Sequence, residues 1–233
     1  MTTLRFIGDV HGRYADYLRL LDGPDYTFQV GDLSMNYRPF ASADPIRHRA
    51  IGGNHELYEP GPGSYWDHPQ FLGNYGLHAI PGFPPIFYLR GAWSIDGQMR
   101  RDHEKRGGPK SWWPEEECDE ETLERAEQLY SESKPAIVVS HECPMDLVRH
   151  VTNPEFARMF GHPPGTIPTR TNQALQRMLD IHQPRLWVFA HYHRREDFTI
   201  DGTRFVCLDM IRPGNANQVD AILDLASNDF RDR

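Results

Sequence analysis

Residues 4–11, Leu4-Arg5-Phe6-Ile7-Gly8-Asp9-Val10-His11, show the pattern that decides the fold of this chain. A short apolar run ends at a glycine, and an aspartate and a histidine follow it. Four later segments end in a similar way: Phe28-Gln29-Val30 before Gly31-Asp32, Ala50-Ile51 before Gly52-Gly53-Asn54-His55-Glu56, Ala136-Ile137-Val138-Val139 before Ser140-His141-Glu142, and Leu186-Trp187-Val188-Phe189-Ala190 before His191-Tyr192-His193. Buried strands of α/β proteins read as continuous apolar runs, so the pattern predicts an α/β fold built on packed sheets.

Ligands of such sheets bind beyond the carboxyl ends of the strands. If the five runs are strands, their polar ends can converge on one rim. That rim would carry Asp9, His11, Asp32, Asn54, His55, His141, His191 and His193. This set of oxygen and nitrogen donors could hold two metal ions.

Hydrophobic periodicity predicts the other elements. Strands are predicted at residues 4–9, 26–31, 50–52, 136–140, 186–190, 197–200, 203–208 and 219–225, and residues 86–95 are predicted to form one or two more. Helices are predicted at residues 13–22, 119–131 and 172–182. No composition break requires a domain boundary. We therefore expect a single domain over residues 1–226, with an insert at about 96–134 and a loose tail at 227–233.

The net charge of −8 argues against broad nucleic-acid binding through phosphate contacts, although it allows a small phosphorylated substrate held by metal ions. Cys118, Cys143 and Cys207 are too few for a disulfide framework, which fits a reducing compartment. Residues 1–10 lack the apolar core of a signal peptide, and no apolar run approaches the ~18 residues of a membrane span. We expect a soluble cytoplasmic protein, whose oligomeric state stays open.

Asp32 is the candidate bridge between two ions, because it stands alone at its strand end. A bridging carboxylate keeps two ions about 3.5–4 Å apart, the geometry used for hydrolysis at phosphorus. Asp9 and His11 can face one ion if the strand ends in a tight turn, and His191 and His193 can be split between the ions.

Asn54 adds a neutral oxygen and His141 another nitrogen. Donors of these two types suit manganese, iron, zinc, nickel or cobalt better than a thiolate site would. We expect two divalent ions, with manganese first and the other four metals as alternatives.

The five blocks together resemble the calcineurin-like metallophosphoesterase superfamily. Its pattern is Asp-x-His, Gly-Asp, Gly-Asn-His-Asp/Glu, a later His and Gly-His-x-His, and all five parts lie in this order between residues 8 and 193. Ala190 replaces the usual glycine of the last block. The resemblance implies a two-sheet β-sandwich flanked by helices, the four-layer αββα fold, and a metal-dependent phosphoesterase.

The resemblance also assigns roles to the residues at the strand ends. Asp9, His11, Asp32 and His193 would hold one metal, and Asp32, Asn54, His141 and His191 would hold the other. His55 would be the catalytic side chain that steadies the phosphoryl oxygens or protonates the leaving oxygen.

The second block departs from the Ser/Thr phosphoprotein phosphatase branch, which the first and third blocks resemble. That branch continues as Gly-Asp-x-Val-Asp-Arg-Gly, whereas this chain reads Gly31-Asp32-Leu33-Ser34-Met35-Asn36-Tyr37. Met35 stands where that branch has an aspartate supporting the catalytic histidine, and Asn36 stands where it has a phosphate-binding arginine. The chain is more similar to bacterial or phage members that act on small substrates.

The predicted reaction is hydrolysis of phosphate monoesters or diesters, on small or nucleotide-like compounds, by a metal-activated hydroxide. A nuclease or a phosphoprotein phosphatase of the same superfamily is an alternative, and a non-catalytic scaffold with this fold is another. Asn36, Arg38, Tyr192 and Arg194 lie beside ligand positions and are candidate substrate contacts.

Residues 96–118 form an unusual segment within the insert. Its basic side chains are Arg100, Arg101, His103, Lys105, Arg106 and Lys110, and Trp112-Trp113-Pro114 follow them. Such a segment could bind phosphate and stack on a base. The alternative is a solvated hairpin that the tryptophan pair pins to the core.

Overall fold

The computed structural model describes residues 1–152, 154–162, 167–215 and 218–230. The strands are β1 (Thr3–Ile7), β2 (Tyr26–Gln29), β3 (His48–Ala50), β4 (Tyr75–His78), β5 (Ile86–Leu89), β6 (Ile137–Ser140), β7 (Leu186–Phe189), β8 (Glu196–Ile200), β9 (Thr203–Cys207) and β10 (Ile222–Ala226). The helices are α1 (Tyr14–Leu20), α2 (Gly97–Lys105), α3 (Glu120–Ser133), α4 (Val148–Val151), α5 (Pro154–Met159) and α6 (Arg170–Ile181). Short 3-10 helices cover Tyr65–Asp67, Pro114–Glu116, Met145–Leu147 and Ser227–Phe230.

The strands form two sheets. One has the order β10-β1-β2-β3, in which β1, β2 and β3 are parallel. The other has the order β4-β5-β6-β7-β9-β8, with parallel central strands and antiparallel edges. Parallel neighbours end at the same edge of a sheet, so the loops after β1, β2 and β3 share an edge of the first sheet and those after β6 and β7 share an edge of the second.

Alternate residues of each strand divide between the two faces of its sheet. Phe6 and Val139 belong to a core cluster that draws residues from both sheets, which therefore pack face to face. Val138 faces the opposite way and packs with α3 and α6, and Ile7 packs with α1. These layers confirm the predicted αββα sandwich.

Helices α3 and α6 cover the outer face of the larger sheet. The Asp119 side chain caps α3 by accepting a hydrogen bond from Thr122 N at 2.8 Å, and Thr169 and Asn172 form a reciprocal capping box at α6. Leu123 of α3 and Met178 of α6 are fully buried in the cluster on this face. Burying a side chain of this size contributes about 1.5–3 kcal/mol.

The secondary structure departs from the sequence analysis in three places. Residues 90–95 form no strand: Gly91 turns the chain with φ +91°, and a Cβ there would overlap the Glu116 carbonyl oxygen. The edge strand β4 was missed, because its half-buried residues show no strong alternation. Residues 96–118 are not a hairpin, because they contain α2.

Of the two tryptophans, Trp113 packs this segment against the core, whereas Trp112 contacts the segment itself. Trp113 is buried in the cluster around α1, while Arg101 lies over the ring of Trp112 at 4.2 Å. A base stacking on Trp112 would have to displace this arginine from that face.

The end of the described chain is more ordered than the predicted loose tail. Ser227–Phe230 forms a 3-10 helix, and Phe230 packs against the core between the sheets. Residues 231–233 of the expected tail lie outside the described residues. Within the described ranges, no helix has the length and apolar character needed to cross a bilayer.

Candidate metal centre

Four candidate ligands from three loops meet at the rim of the sandwich. Ligand atoms of Asp9, His11, Asp32 and His193 all lie within 4.8 Å of one another. His193 Nε2 is 3.1 Å from Asp9 Oδ2 and 2.9 Å from His11 Nε2. His11 Nε2 is also 3.7 Å from Asp32 Oδ2. The geometry brings this predicted quartet together around one point.

The other three candidates lie on the opposite side of Asp32. His141 Nε2 is 3.3 Å from Asp32 Oδ1 and 3.2 Å from Asn54 Oδ1. His191 Nδ1 is 2.9 Å from the same Asn54 oxygen. The two carboxylate oxygens of Asp32 therefore face the two groups of candidate ligands, an arrangement compatible with a bridge through both oxygens.

The backbone at this rim is strained at the ligand positions themselves. The φ angles of His11, Asp32, His191 and His193 are +45°, +58°, +69° and +51°. This left-handed region is uncommon for residues with a side chain. Each such residue costs about 1–3 kcal/mol and persists only where the surroundings enforce it, as they do at functional sites. The tight turns let ligands two residues apart in sequence face one centre.

Glycines beside the ligands permit close approach. A Cβ on Gly31 would overlap the His141 ring, and a Cβ on Gly53 would overlap Asp32 Oδ1. Neither position tolerates a side chain without moving a ligand. Close packing against His141 and Asp32 thus explains the glycines at positions 31 and 53, which follow the second and third apolar runs.

The donors present fit divalent cations. Asp9 is fully buried, and its Oδ2 atom accepts no hydrogen bond from any described residue. An unsatisfied buried carboxylate oxygen is costly, and a cation among the neighbouring imidazoles would satisfy it. His141 donates from Nδ1 to the Val30 carbonyl oxygen at 2.7 Å. This bond directs the lone pair of Nε2 toward the centre, as hydrogen bonds from metal-binding histidines to carbonyl groups commonly do.

The two carboxylates stay ionised despite their burial. Burial alone would raise the pKa of Asp32, but the charges of His141 and His55 bring it well below its usual value. Burial opposes ionisation of Asp9 in the same way, and the neighbouring imidazole of His193 together with the charge of His141 lowers its pKa. The centre is therefore attractive to cations.

The pKa values of His191 and His141 shift in opposite directions in this shared environment. Burial and the charge of His141 lower the pKa of His191 to about 3, so that ring is neutral and can act as a ligand. Burial would also lower the pKa of His141, but Asp32 and Asp9 raise it to about 10. A cation at this centre competes with that proton, which makes metal affinity dependent on pH.

His55 lies beside the ligands but makes a different contact. Its backbone N–H donates to Asp32 Oδ1 at 2.9 Å, and its Nδ1 lies 3.2 Å from Arg100 Nη1. Arginine can only donate, so Nδ1 accepts this bond and the proton of the neutral ring lies on Nε2. The side chain is thereby set to donate from Nε2.

Arg100 belongs to a buried polar network that connects α2 to the candidate metal ligand Asn54. Its Nη2 atom donates to both carboxylate oxygens of Glu116 at 2.7 Å. Ser94 Oγ donates to Glu116 at 2.5 Å and accepts from Asn54 Nδ2 at 2.9 Å. The network fixes the amide of Asn54 with its oxygen toward His141 and His191.

A cavity of about 550 Å³ opens from the centre. Asp32, Asn54, His55, His191 and His193 line it on the metal side. The other walls come from the loop before α2, from α4 and α5, and from the segment at the start of α6. We call this space the chamber.

The candidate substrate contacts divide into two pairs. Tyr192 and Arg194 line the chamber. Asn36 and Arg38 are exposed and do not line it, and the Asn36 side chain instead accepts a hydrogen bond from Arg38 N at 3.3 Å.

Sequence reasoning missed Ser94, Glu116 and the role of Arg100. Arg100 appeared only as one member of a basic run, and no local pattern marks it. Its contact with His55 spans 45 positions in sequence, so only the folded path of the insert reveals it.

Comparisons with known proteins agree with this architecture. A family model described as calcineurin-like phosphoesterase matches residues 2–195. A solved phosphopantetheinyl hydrolase from Mycobacterium tuberculosis is similar with a TM-score of 0.55 and 16% identity, over 96% of this chain and 95% of that one. A putative 5'-nucleotidase from Staphylococcus aureus is similar with a TM-score of 0.54 and 12% identity, over 90% of this chain and 48% of that one. A search of curated proteins found no match. At these identities the two solved structures bear on the fold alone.

Proposed function

Because this chain belongs to the calcineurin-like phosphoesterase family, we propose that it hydrolyses small phosphate esters with the help of two divalent metal ions. Membership makes it a metal-dependent phosphoesterase in general terms. The number of ions, their identity as manganese, the ligand roles and the small substrate are our proposals. We also propose a cytoplasmic location, where the free buried thiols of Cys118, Cys143 and Cys207 are stable.

One observation carries the proposal. Asp32 lies between two groups of nitrogen and oxygen donors, with Oδ2 at 3.7 Å from His11 Nε2 and Oδ1 at 3.3 Å from His141 Nε2. Two centres joined by a carboxylate are the arrangement used for in-line displacement at phosphorus. Bound ions would lower the pKa of a water molecule to supply the nucleophile, and they would neutralise the charge that develops on the phosphoryl oxygens.

The chain's own residues complete the reaction. Asp9, His11, Asp32 and His193 would hold one ion, and Asp32, Asn54, His141 and His191 the other. His55 would donate a hydrogen bond from Nε2 to a phosphoryl or leaving-group oxygen, since Arg100 occupies Nδ1. A preorganised donor to an oxygen on which charge develops contributes about 10²–10³-fold to the rate.

The alternatives fit less well. A nuclease must bind an extended polyanion, and the net charge of −8 opposes that. A phosphoprotein phosphatase of the usual kind has an arginine at the position of Asn36, and this residue lies outside the chamber. A scaffold has no need of ligand residues held in strained backbone conformations, since that strain is costly.

The test is an assay of the purified protein with manganese on para-nitrophenyl phosphate and on bis(para-nitrophenyl) phosphate. We expect metal-dependent turnover of at least one ester, lost in His55→Ala. Preference for the bis-ester indicates a phosphodiesterase, and the reverse preference indicates a phosphomonoesterase. Absence of turnover on both esters, with manganese bound, contradicts the proposal and favours the scaffold.

A further inference from the structure

The chamber beside the metal centre has a largely apolar wall, which hydrolysis of a phosphate ester does not by itself require. Its walls away from the metal ligands include Trp93, Ile95, Val148, Val151, Ala157 and Ile167. Val148, Val151 and Ala157 are 6%, 2% and 7% exposed, so these side chains are shielded from bulk water. A volume of about 550 Å³ lies within the ~300–1,000 Å³ of small-molecule sites.

The charged groups on the walls away from the ligands already have partners. Asp96 lies 3.2 Å from Arg100 Nε, and Arg194 forms an ion pair with Glu196. The Glu142 carboxyl accepts hydrogen bonds from Thr169 Oγ1 at 3.2 and 3.1 Å. No cation on these described walls is free of a counter-ion, so a second phosphate or a carboxylate would have to compete with Glu196 for Arg194.

Two neutral polar side chains of the wall also have protein partners. Asn172 donates to the Ile167 carbonyl oxygen at 2.9 Å and accepts from Thr169 N at 2.9 Å. Tyr192 OH accepts from Cys143 Sγ at 3.4 Å. A polar substrate group placed beside them would lose water and compete with these contacts, which is unfavourable.

From this lining we propose that the chamber binds the organic part of the phosphate ester, and that this part is a compact, uncharged, apolar group. The inference rests on the proposed function, because the phosphoryl group must lie at the metal centre for its substituent to enter the chamber. The ester bond then lies beside His55, and the hydrocarbon extends toward Ile95 and Val151. Nucleoside polyphosphates, sugar phosphates and phosphopeptides do not match this wall.

Non-hydrolysable alkylphosphonates test the proposal by binding rather than by turnover. Calorimetry on the manganese-loaded protein would compare ethyl-, butyl- and hexylphosphonate. Each methylene moved from water into an apolar site strengthens binding by about fourfold. We expect hexylphosphonate to bind roughly 200-fold more tightly than ethylphosphonate, with a negative heat-capacity change that grows with chain length. Equal affinity along the series overturns the proposal.

Two substitutions test whether the dependence of affinity on chain length arises from the chamber wall. Ile95→Asp places a carboxylate in the chamber and should flatten the dependence of affinity on chain length, whatever it does to overall affinity. Ile46→Asp is the matched control, because Ile46 is 77% exposed and does not line the chamber, and it should keep the wild-type slope. A steep slope retained in Ile95→Asp contradicts the assignment.

A charged probe separates this inference from the proposed function. The 3-phosphonopropionate ion matches butylphosphonate in length but carries a terminal carboxylate, and we expect it to bind at least tenfold more weakly. Tighter binding of the carboxylate overturns the apolar assignment. A flat alkyl series in a protein that hydrolyses para-nitrophenyl esters means that the inference fails while the proposed function stands. A steep series in a protein that hydrolyses neither ester means that the proposed function fails although the chamber is an apolar site.

Discussion

Arg100 donates a hydrogen bond from Nη1 to Nδ1 of His55 over 3.2 Å. The arginine comes from helix α2; its Nη2 donates to Glu116, and its Nε lies 3.2 Å from Asp96 Oδ1. It fixes both the rotamer of the imidazole and the nitrogen that carries the proton. In this chain a cation therefore positions the predicted catalytic histidine, whereas the Ser/Thr phosphoprotein phosphatase branch has an aspartate in that role at the position of Met35.

Replacement of Arg100 by lysine should disturb catalysis more than folding. Lysine keeps the positive charge beside the buried Glu116, so no unpaired charge remains. It lacks the planar fork that reaches several acceptors at once. We expect kcat to fall by about tenfold to 10²-fold, as small misplacements of a reacting group do, with KM within about twofold of wild type. Steady-state kinetics on the preferred para-nitrophenyl ester would measure both.

Arg101→Lys is the matched control on the same helix, because Arg101 lies over Trp112 and does not contact His55. A double-mutant cycle adds a sharper criterion. If Arg100 acts through His55, then Arg100→Lys should have little further effect in a His55→Ala background. Full additivity of the two losses would show that Arg100 acts elsewhere.

Replacement of His55 by alanine should separate catalysis from metal binding. His55 contacts Asp32 only through its backbone N–H, so loss of the ring leaves the ligands in place. We expect turnover to fall by about 10²–10³-fold, as on loss of a hydrogen-bond donor to a developing charge, with wild-type metal content by elemental analysis. His103→Ala, at an exposed position of α2, serves as the control. Wild-type turnover in His55→Ala with metal bound would rule out the assigned role.

The residues at the strand ends could be predicted from the sequence, whereas the contacts of helix α2 could not. The strand-end residues could be identified because each follows an apolar run, and parallel strands bring their ends to one edge of a sheet. Asp9 and His193 are far apart in the chain, but the pattern places both at such ends, and the structure has their side chains 3.1 Å apart.

The insert could not be predicted in the same way. Helix α2 has no apolar stripe: Met99 is 57% exposed, and the buried Arg100 is the residue that faces the protein. A method based on hydrophobic periodicity has nothing to detect in such a helix. The buried charges of Arg100 and Glu116 pair only in the folded chain, so the positioning network around His55 emerged from the structure.

Replacement of Asp32 by asparagine tests the bridge. Asparagine keeps the size of the side chain but removes the negative charge shared by both groups of ligands. We expect both ions to be lost together, so that titration with manganese shows neither tight site. Asp201→Asn, at an exposed turn, should bind as wild type does. One site retained at full strength in Asp32→Asn would show that Asp32 serves a single ion.

Replacement of Gly53 by alanine tests how closely the loops that carry the candidate ligands must approach one another. The new Cβ would overlap Asp32 Oδ1 and lie 2.5 Å from His141 Nε2. Overpacking of this kind costs about 1–3 kcal/mol, which lowers Tm by about 2–4 °C per kcal/mol in a chain of this size. Because the displaced atoms are proposed ligands, we also expect manganese affinity to fall by at least tenfold.

Gly73→Ala isolates the steric effect, since a Cβ at Gly73 meets nothing within 4 Å. Its Tm and manganese affinity should match those of wild type. If Gly53→Ala lowers Tm but leaves manganese affinity unchanged, the loops can relax without moving Asp32 or His141. The ligand geometry would then be less dependent on these glycines than the contacts in the structure indicate.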